Sequence, residues 1–164
     1  MIEPGRPNLP PGYGLKLPTE GRLIQWSQVV AKLAAARNYW IATASPQGIP
    51  HAAPVWGIWH RDSFYFGTDP KSRKAVNLSA NSAVVLHLES GDDVVILEGF
   101  ARKLSEADVR SELDAAYFDK YGFHLKGNPT YQIKPQRAFA WAEADFPESA
   151  TRWQFPNPEA QADA

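Results

Sequence analysis

The 164 residues, of which 44% are hydrophobic and 12% aromatic, are enough for one domain with its own core. Lysine and arginine total 17 against 18 aspartate and glutamate, so charge predicts no partnership with nucleic acid or an anionic membrane. The chain has no cysteine, which excludes disulfides, thiolate metal ligands and a cysteine nucleophile. Since no apolar run could span a bilayer and no leader pattern is present, we expect a cytoplasmic protein.

The chain begins with a proline-rich arm over residues 1–22, which we expect to lie extended on the surface or to be loose. Its prolines are Pro4, Pro7, Pro10, Pro11 and Pro18. Residues 23–155 are predicted to form the folded domain and 156–164 a flexible tail. At the start of the domain, Ser27 is the expected N-cap of a short helix that ends near Arg37.

Apolar runs and alternation predict six strands, separated by turn residues. The expected strands are 39–45, 49–59, 64–68, 82–89, 94–104 and 137–143. Pro50 and Pro54 donate no ladder hydrogen bond, so they must lie at an edge, at a bulge, or where the backbone turns toward something other than a neighbouring strand.

Two further helices are predicted between the strands. One runs over 72–80, with Ser72 as N-cap and Asn81 at its end. The other starts at the capping-box pattern 105–108, runs for about four turns and ends before Gly122. About six antiparallel strands with two to three helices predict a mainly β, α+β fold in which the sheet closes into a small barrel.

The segment 64–78 is the strongest functional signal, because an aromatic strand leads through a proline turn to a helix that opens on a cluster of cations. A helix N-terminus has unpaired N–H groups and partial positive charge, so it can seat a phosphate. The ordinary alternative is a capped surface helix with solvated cations. The residues concerned are Thr68, Lys71, Ser72, Arg73 and Lys74.

The same segment carries a resemblance to a known family. The aromatic strand, Thr68, the run Ser72-Arg73-Lys74-Ala75 and Asn81, followed by Leu97-Glu98-Gly99-Phe100-Ala101, resemble the pyridoxamine 5′-phosphate oxidase-like FMN-binding split barrels. The likeness covers about residues 39–105. Ile133-Lys134-Pro135 and Thr151-Arg152-Trp153 are similar to the flavin- and deazaflavin-dependent reductases of that superfamily.

The resemblance implies a split β-barrel in which Thr68, Ser72, Arg73 and Lys74 hold the phosphate of FMN. It also implies that the strand carrying Pro54, Val55 and Trp56 lies along the flavin ring. The tryptophans that could face the ring are Trp56, Trp59, Trp141 and Trp153, and the alternative for each is a place in the core or in a dimer contact. Family members are homodimers with flavin sites at the subunit interface, so Arg152 and Trp153 are expected to reach the partner's cofactor.

The chain also departs from the family pattern. Members that oxidise pyridoxamine phosphate have an arginine and a lysine where Ala52 and Gly57 stand, so vitamin B6 oxidation is disfavoured. We therefore interpret the protein as an oxidoreductase that uses FMN, or the deazaflavin coenzyme F420, on a small apolar or planar substrate. No side chain is assigned a catalytic role, because the cofactor carries the hydride chemistry.

Three alternatives stay open. The first is a protein that binds or sequesters flavin without turnover. The second is a deazaflavin in place of FMN, since both cofactors would use the same phosphate site. The anionic tail of a deazaflavin would need further cations, for which the candidates are Lys16, Arg22 and Arg152. A haem-binding barrel is the third alternative, and it requires an axial histidine from among His51, His60 and His87. The four histidines lack metal-ligand spacing, so no metal site is expected.

Overall fold

The computed structural model describes residues 2–13, 18 and 22–156. In these residues nine strands pair in one antiparallel sheet. The strands are β1 (Pro4–Gly5), β2 (Tyr39–Ala44), β3 (Pro50–Val55), β4 (Ile58–His60), β5 (Ser63–Gly67), β6 (Ala83–His87), β7 (Asp93–Lys103), β8 (Thr130–Ala142) and β9 (Thr151–Gln154). The helices are α1 (Trp26–Ala35), α2 (Arg73–Ala80) and α3 (Ser111–Tyr121), and 3-10 turns lie at Pro11–Tyr13, Glu106–Asp108 and Glu143–Asp145.

Strand β8 organises the sheet. The sheet order is β1-β9-β8-β7-β6-β2-β3, and the β4–β5 hairpin joins it through β5. Because β7 pairs along nearly all of β8, the other side of β8 is shared between β5 at its start and β9 at its end. The mainly β, α+β split-barrel fold expected from the sequence is confirmed, with nine strands rather than about six and with three helices.

The strand predicted over 49–59 is two strands that break at Trp56 and Gly57. Strand β3 pairs only with β2 among the described strands, with Trp40 opposite Pro54, and it ends the sheet order. The edge position expected from its prolines is therefore confirmed. After the break, β4 turns away to form a hairpin with β5.

The last long strand starts earlier than predicted, since β8 begins at Thr130 and passes through Pro135. A bulge makes this possible: Glu98 pairs with Arg137 and Gly99 with Pro135, so Gln136 has no opposite residue. A Cβ at Gly99 would lie 2.1 Å from the backbone oxygen of Lys134, so only glycine fits there.

The main core lies between the sheet and α1. Tyr39 and Ile41, alternate residues of β2, are fully buried, as are Val29 and Leu33 of α1. A second, smaller cluster lies under α3 and is formed by Ile58, Leu104, Val109, Leu113, Tyr117, Tyr121 and Leu125. This second cluster attaches α3 to the β4 end of the barrel.

Helix α2 has the caps that the sequence predicts, and α1 does not. The Ser72 hydroxyl accepts a hydrogen bond from the Ala75 N–H, and Asn81 ends α2. Helix α1 starts earlier than expected, because Gln25 and Gln28 form a reciprocal capping box and Ser27 lies inside the first turn.

Helix α3 starts later and is shorter than predicted. The capping pattern at Ser105 and Asp108 is present, but it closes only a 3-10 turn. The helix itself has Arg110 as N-cap and contains 11 residues, about three turns. It ends as expected at Gly122, whose φ of 75° lies in the left-handed region that suits glycine.

Part of the proline-rich arm belongs to the sheet. Pro4 and Gly5 pair with Trp153 and Arg152 of β9, and the Arg6 guanidinium donates to the Glu148 carbonyl oxygen at 2.6 Å. Lys16 and residues 157–164 lie outside the described residues. None of the helices in the described ranges has the length and apolar character needed to cross a membrane.

Candidate functional site

A cavity of about 370 Å³ opens beside the ends of β3 and β5 and the first turn of α2. Its wall brings together five residues that the sequence predicted for cofactor binding: Pro54, Val55, Trp56, Thr68 and Lys74. The remaining lining residues, which the sequence did not indicate, are Asn38, Gly67 and Tyr117. Two segments predicted separately, the ring strand and the phosphate seat, thus share one opening.

One end of this cavity carries Thr68, whose hydroxyl is paired with that of Ser72, the N-cap residue of α2. Thr68 Oγ1 lies 3.1 Å from Ser72 Oγ, which also accepts from the Ala75 N–H at 3.3 Å. One of the two hydroxyl hydrogens makes the bond between them, and the other remains able to donate to an anion. The pair lies at the N-terminus of α2, where the helix dipole favours negative charge.

The three cations of the predicted seat differ in position. Lys74 is half-buried and lines the cavity, whereas Lys71 and Arg73 are exposed and do not line it. The Lys71 backbone N–H donates to the Asp69 carboxylate at 2.7 Å, which shapes the turn before the helix. Lys74 is therefore the cation best placed to meet a ligand inside the cavity.

The opposite wall is apolar and aromatic. Val55 is buried at the end of β3, while Trp56 leaves the strand with 37% of its surface exposed. Such a wall suits the face of a planar ring, since flat aromatic ligands pack against aromatic side chains.

Trp56 is supported from behind by Tyr121 and Arg37, whose connection with the site is not evident from the sequence. Its ring stacks on Tyr121 with centroids 5.0 Å apart and planes 9° apart. The Arg37 guanidinium lies 5.4 Å from the Trp56 ring centroid and 5.5 Å from that of Tyr121. The sequence offered one signal that Tyr121 lies near the site: Tyr117 and Tyr121 are four residues apart, which places both on the same face of α3.

Burial shifts the pKa values of ionisable groups around this wall. Burial and the neighbouring Tyr121 raise the pKa of Tyr117 to about 12, so the hydroxyl of this cavity residue is neutral at physiological pH. Burial, with the nearby Arg37 charge, lowers the pKa of Lys120. The Lys120 ammonium donates to the Tyr39 hydroxyl at 2.9 Å.

The two positions where the family pattern has cations are occupied differently here. Ala52 is exposed on β3, and Gly57 is buried. A Cβ at Gly57 would lie 2.1 Å from Phe64 Cζ and 2.6 Å from the Tyr65 carbonyl oxygen, so no larger residue fits. Lys120, from α3, instead places its Nζ 3.4 Å from the Gly57 carbonyl oxygen.

The other predicted ring residues are not brought to this cavity. Trp153 is fully buried in its own chain and packs on Trp26 at 5.4 Å, so it offers no surface to a ligand. Trp59 packs edge-on against Trp26 at 6.0 Å, and Trp141 lies at 6.1 Å from Phe146. Within this chain, each of these tryptophans packs against another aromatic side chain.

The additional cations and the histidines also lie elsewhere. Arg152 is opposite Gly5 on β9, and Arg22 lines a different cavity. His51, His60 and His87 are absent from the cavity wall as far as the described residues go. The His87 ring stacks against Trp40 and its Nδ1 lies 2.7 Å from the Leu88 carbonyl oxygen. The structure therefore gives no support to an axial haem ligand at this cavity.

Comparison with known proteins gives one family match. The family model described as Pyridoxamine 5'-phosphate oxidase matches residues 26–146, which include the whole cavity wall. A search of curated proteins found no relative that matches this chain.

Several solved structures share the fold. The conserved hypothetical protein Rv2991 from Mycobacterium tuberculosis is 21% identical, with 79% of this chain and 91% of that chain covered and a TM-score of 0.67. HutZ, the heme storage protein from Vibrio cholerae, is 14% identical, with coverage of 70% and 92% and a TM-score of 0.60. A protein named F420 Reductase is 18% identical, with coverage of 65% and 93% and a TM-score of 0.53.

Proposed function

The chain belongs to the pyridoxamine 5′-phosphate oxidase family, and we propose that it is an oxidoreductase that binds FMN, or a deazaflavin in its place, in the cavity lined by Thr68, Lys74 and Trp56. The observation that carries the proposal is that a cation, a threonine whose hydroxyl is paired with the N-cap serine of α2, and an aromatic wall share one opening. These are the groups that a ligand with a phosphate and a planar ring requires.

The residues of the phosphate end have distinct roles in this proposal. Lys74 supplies a full positive charge inside the cavity, and the Thr68–Ser72 pair supplies a hydroxyl donor. Lys71 and Arg73, being exposed, contribute by raising the local potential rather than by enclosing the ligand.

At the other end, the chain would orient the ring of the cofactor. Trp56 and Val55 provide apolar cover, and the Tyr117 hydroxyl is a neutral donor at the same wall. When bound, the flavin would supply hydride transfer to or from an organic substrate, while these residues fix its position and exclude water.

FMN is the first choice between the two cofactors. Both would use Thr68, Ser72 and Lys74 in the same way, but the anionic tail of a deazaflavin needs a further cation. Arg22 and Arg152 do not line the cavity, and of the described cations Arg37 lies beside its aromatic wall. A protein named F420 Reductase shares the fold, so both cofactors belong in the test.

We further propose an apolar or planar substrate. With Ala52 and Gly57 at the two positions where the family pattern has an arginine and a lysine, the strand offers no positive charge for a substrate phosphate. Trp56 and Phe123, whose ring centroids lie 5.6 Å apart, give an exposed aromatic surface next to the cavity.

We also propose that the protein is a cytoplasmic homodimer with a flavin site at each subunit boundary. Support comes from a second groove of about 410 Å³ on β2, β6 and β7, whose lining includes Ala42, Val84 and Phe100. Phe100 is 53% exposed and lies in this groove beside other apolar side chains, and an apolar patch of this kind is typical of a surface that another subunit covers.

A flavin-binding protein without turnover is the second candidate. It is favoured by the cavity volume of about 370 Å³, which is near the lower end of the range of roughly 300–1,000 Å³ for ligand pockets. One subunit therefore has room for a cofactor and little room for a second molecule.

Turnover separates the two candidates. Reduced FMN and reduced F420 would each be mixed anaerobically with the protein and a panel of quinones, nitroaromatics and enones. We expect reoxidation faster than with free cofactor for at least one acceptor, and that gain should be lost in Lys74→Ala. Binding without any gain in rate would favour sequestration.

A further inference from the structure

The end of α3 lies directly behind the aromatic wall of the cavity. Tyr121 is buried, and one face of the Trp56 ring is covered by the Tyr121 ring in near-parallel stacking. Trp56 is nevertheless partly exposed and lines the cavity. Tyr121 therefore contacts the wall residue without itself lining the opening.

The Tyr121 hydroxyl lies within hydrogen-bonding distance of the backbone of Gly57 and of Arg37. It accepts from the Gly57 N–H at 3.1 Å, and its one hydrogen can be donated to the carbonyl oxygen of Arg37 at 2.7 Å or to that of Gly57 at 2.8 Å. Because Gly57 directly follows Trp56, these bonds fix the backbone from which the indole projects.

The same backbone is held from two other directions. Lys120 donates to the Gly57 carbonyl oxygen at 3.4 Å and to the Ala34 carbonyl oxygen at 3.2 Å, which connects the break between β3 and β4 to the end of α1. Gly57 itself is enclosed by Phe64 and the Tyr65 carbonyl oxygen, so this part of the chain has little freedom to move.

We propose that Tyr121 is a positioning residue for the cofactor: it acts through Trp56, by holding the indole in the orientation that faces the planar ring. This inference rests on the proposed function, since it assigns a role within the same cavity. Holding a wall residue in place before binding removes the cost of ordering it when the ligand arrives.

The variant Tyr121→Phe tests this directly. It keeps the ring that stacks on Trp56, but it leaves the Gly57 N–H and two carbonyl oxygens without the hydroxyl. Losing hydrogen bonds of this kind should weaken FMN binding by about tenfold. The matched control is Tyr131→Phe, which removes a hydroxyl from a buried tyrosine that does not line the cavity.

A double-mutant cycle with Trp56→Ala identifies the route of the effect. If Tyr121 acts through Trp56, adding Tyr121→Phe to Trp56→Ala should change FMN affinity by less than about twofold. Independent, multiplying losses in affinity would overturn the proposal, because Tyr121 would then act through the rest of the fold.

Fluorine NMR of the protein without cofactor tests whether Tyr121 holds Trp56 in place. With 5-fluorotryptophan incorporated, the fluorine resonance of Trp56 is identified by its loss in Trp56→Phe. In Tyr121→Phe this resonance should shift or broaden, while that of the buried Trp153 should stay in place and confirm that the variant is folded.

The outcomes separate the inference from the proposed function. If the wild type takes up neither FMN nor F420, the proposed function fails, and the fluorine spectrum alone decides whether Tyr121 holds Trp56. An unchanged Trp56 resonance, or wild-type FMN affinity in Tyr121→Phe, overturns the inference while leaving the proposed function intact.

Discussion

Lys74 is the residue on which binding of an anion depends most directly. Of the three cations predicted to bind the phosphate, Lys74 is the one that lines the cavity. We expect Lys74→Ala to weaken FMN binding by about tenfold to a hundredfold, as is typical for loss of one charge-assisted hydrogen bond. Fluorescence titration of FMN measures the change. Lys126→Ala, the same substitution at an exposed lysine that does not line this cavity, is the control. Equal affinities of the two variants would contradict the assignment.

Gly57 is a residue where packing, rather than backbone conformation, requires glycine. A methyl group there would meet Phe64 and the Tyr65 carbonyl oxygen at impossible distances. We expect Gly57→Ala to lower the free energy of unfolding by about 1–3 kcal/mol. Urea denaturation tests this, with Gly91→Ala as the control, because nothing lies within 4 Å of a Cβ at Gly91. Coincident denaturation curves would mean that the barrel is looser at the β3–β4 break than the structure indicates.

Single residues were predictable from the sequence where the chemistry is local. Ser72 and Thr68 form a hydroxyl pair within four residues of each other, and the capping role of Ser72 follows from its own helix. Tyr121 could not be connected with Trp56, because 65 positions separate them and only tertiary packing brings their rings together. The burial of Trp153 was equally beyond the sequence, since any tryptophan can pack in a core or face a ligand.

Among the elements, α3 depends on a buried carboxylate near its start. Asp114 accepts from the backbone N–H groups of Leu125 and Lys126, at 2.7 and 3.1 Å, and lies 2.8 Å from His124 Nδ1. Burial alone would raise the pKa of Asp114, but these hydrogen bonds outweigh burial and lower it. The carboxylate thereby ties the loop after α3 back onto the helix.

Because the pKa of Asp114 is lowered, the free energy of unfolding depends on pH in a predictable direction. Because the pKa of Asp114 is lower in the folded state, its stabilisation is present above about pH 4, the ordinary value, and is lost as the pH falls through the folded pKa. We expect Asp114→Asn to cost about 1–3 kcal/mol of unfolding free energy at pH 7, with the difference from wild type narrowing at lower pH. Urea titrations across this range measure it, with the exposed Asp119→Asn as control. A difference that does not depend on pH would contradict this role.

The predicted boundaries of helices and strands were correct where a neighbouring cap or turn residue sets them. They were wrong where pairing with a distant strand determines where the element begins or ends. Helix α2 keeps its predicted ends because Ser72 and Asn81 are next to it in sequence. Strand β8 runs through Pro135 because a bulge in β8 leaves Gln136 without an opposite residue on β7, and this register is set by pairing with a strand that is distant in sequence. In α3, the capping pattern at Ser105 was real but closed a separate turn, and Arg110 began the helix.

For the whole molecule, the groove around Phe100 makes the oligomeric state testable. We expect the wild type to sediment as a dimer and Phe100→Glu to raise the dimer dissociation constant at least about tenfold, because a charge would enter an apolar contact. Phe118→Glu places the same charge at another exposed phenylalanine, outside the groove, and should leave the dimer intact. A monomeric wild type would remove the proposed interface.

The most direct measurement is an absorbance titration of the purified protein with FMN and, separately, with F420. We expect saturable uptake of one of them, with FMN preferred, a shifted flavin spectrum, and weaker uptake by Lys74→Ala than by Lys126→Ala. Failure of both cofactors to bind would contradict the proposal that this cavity is a flavin site.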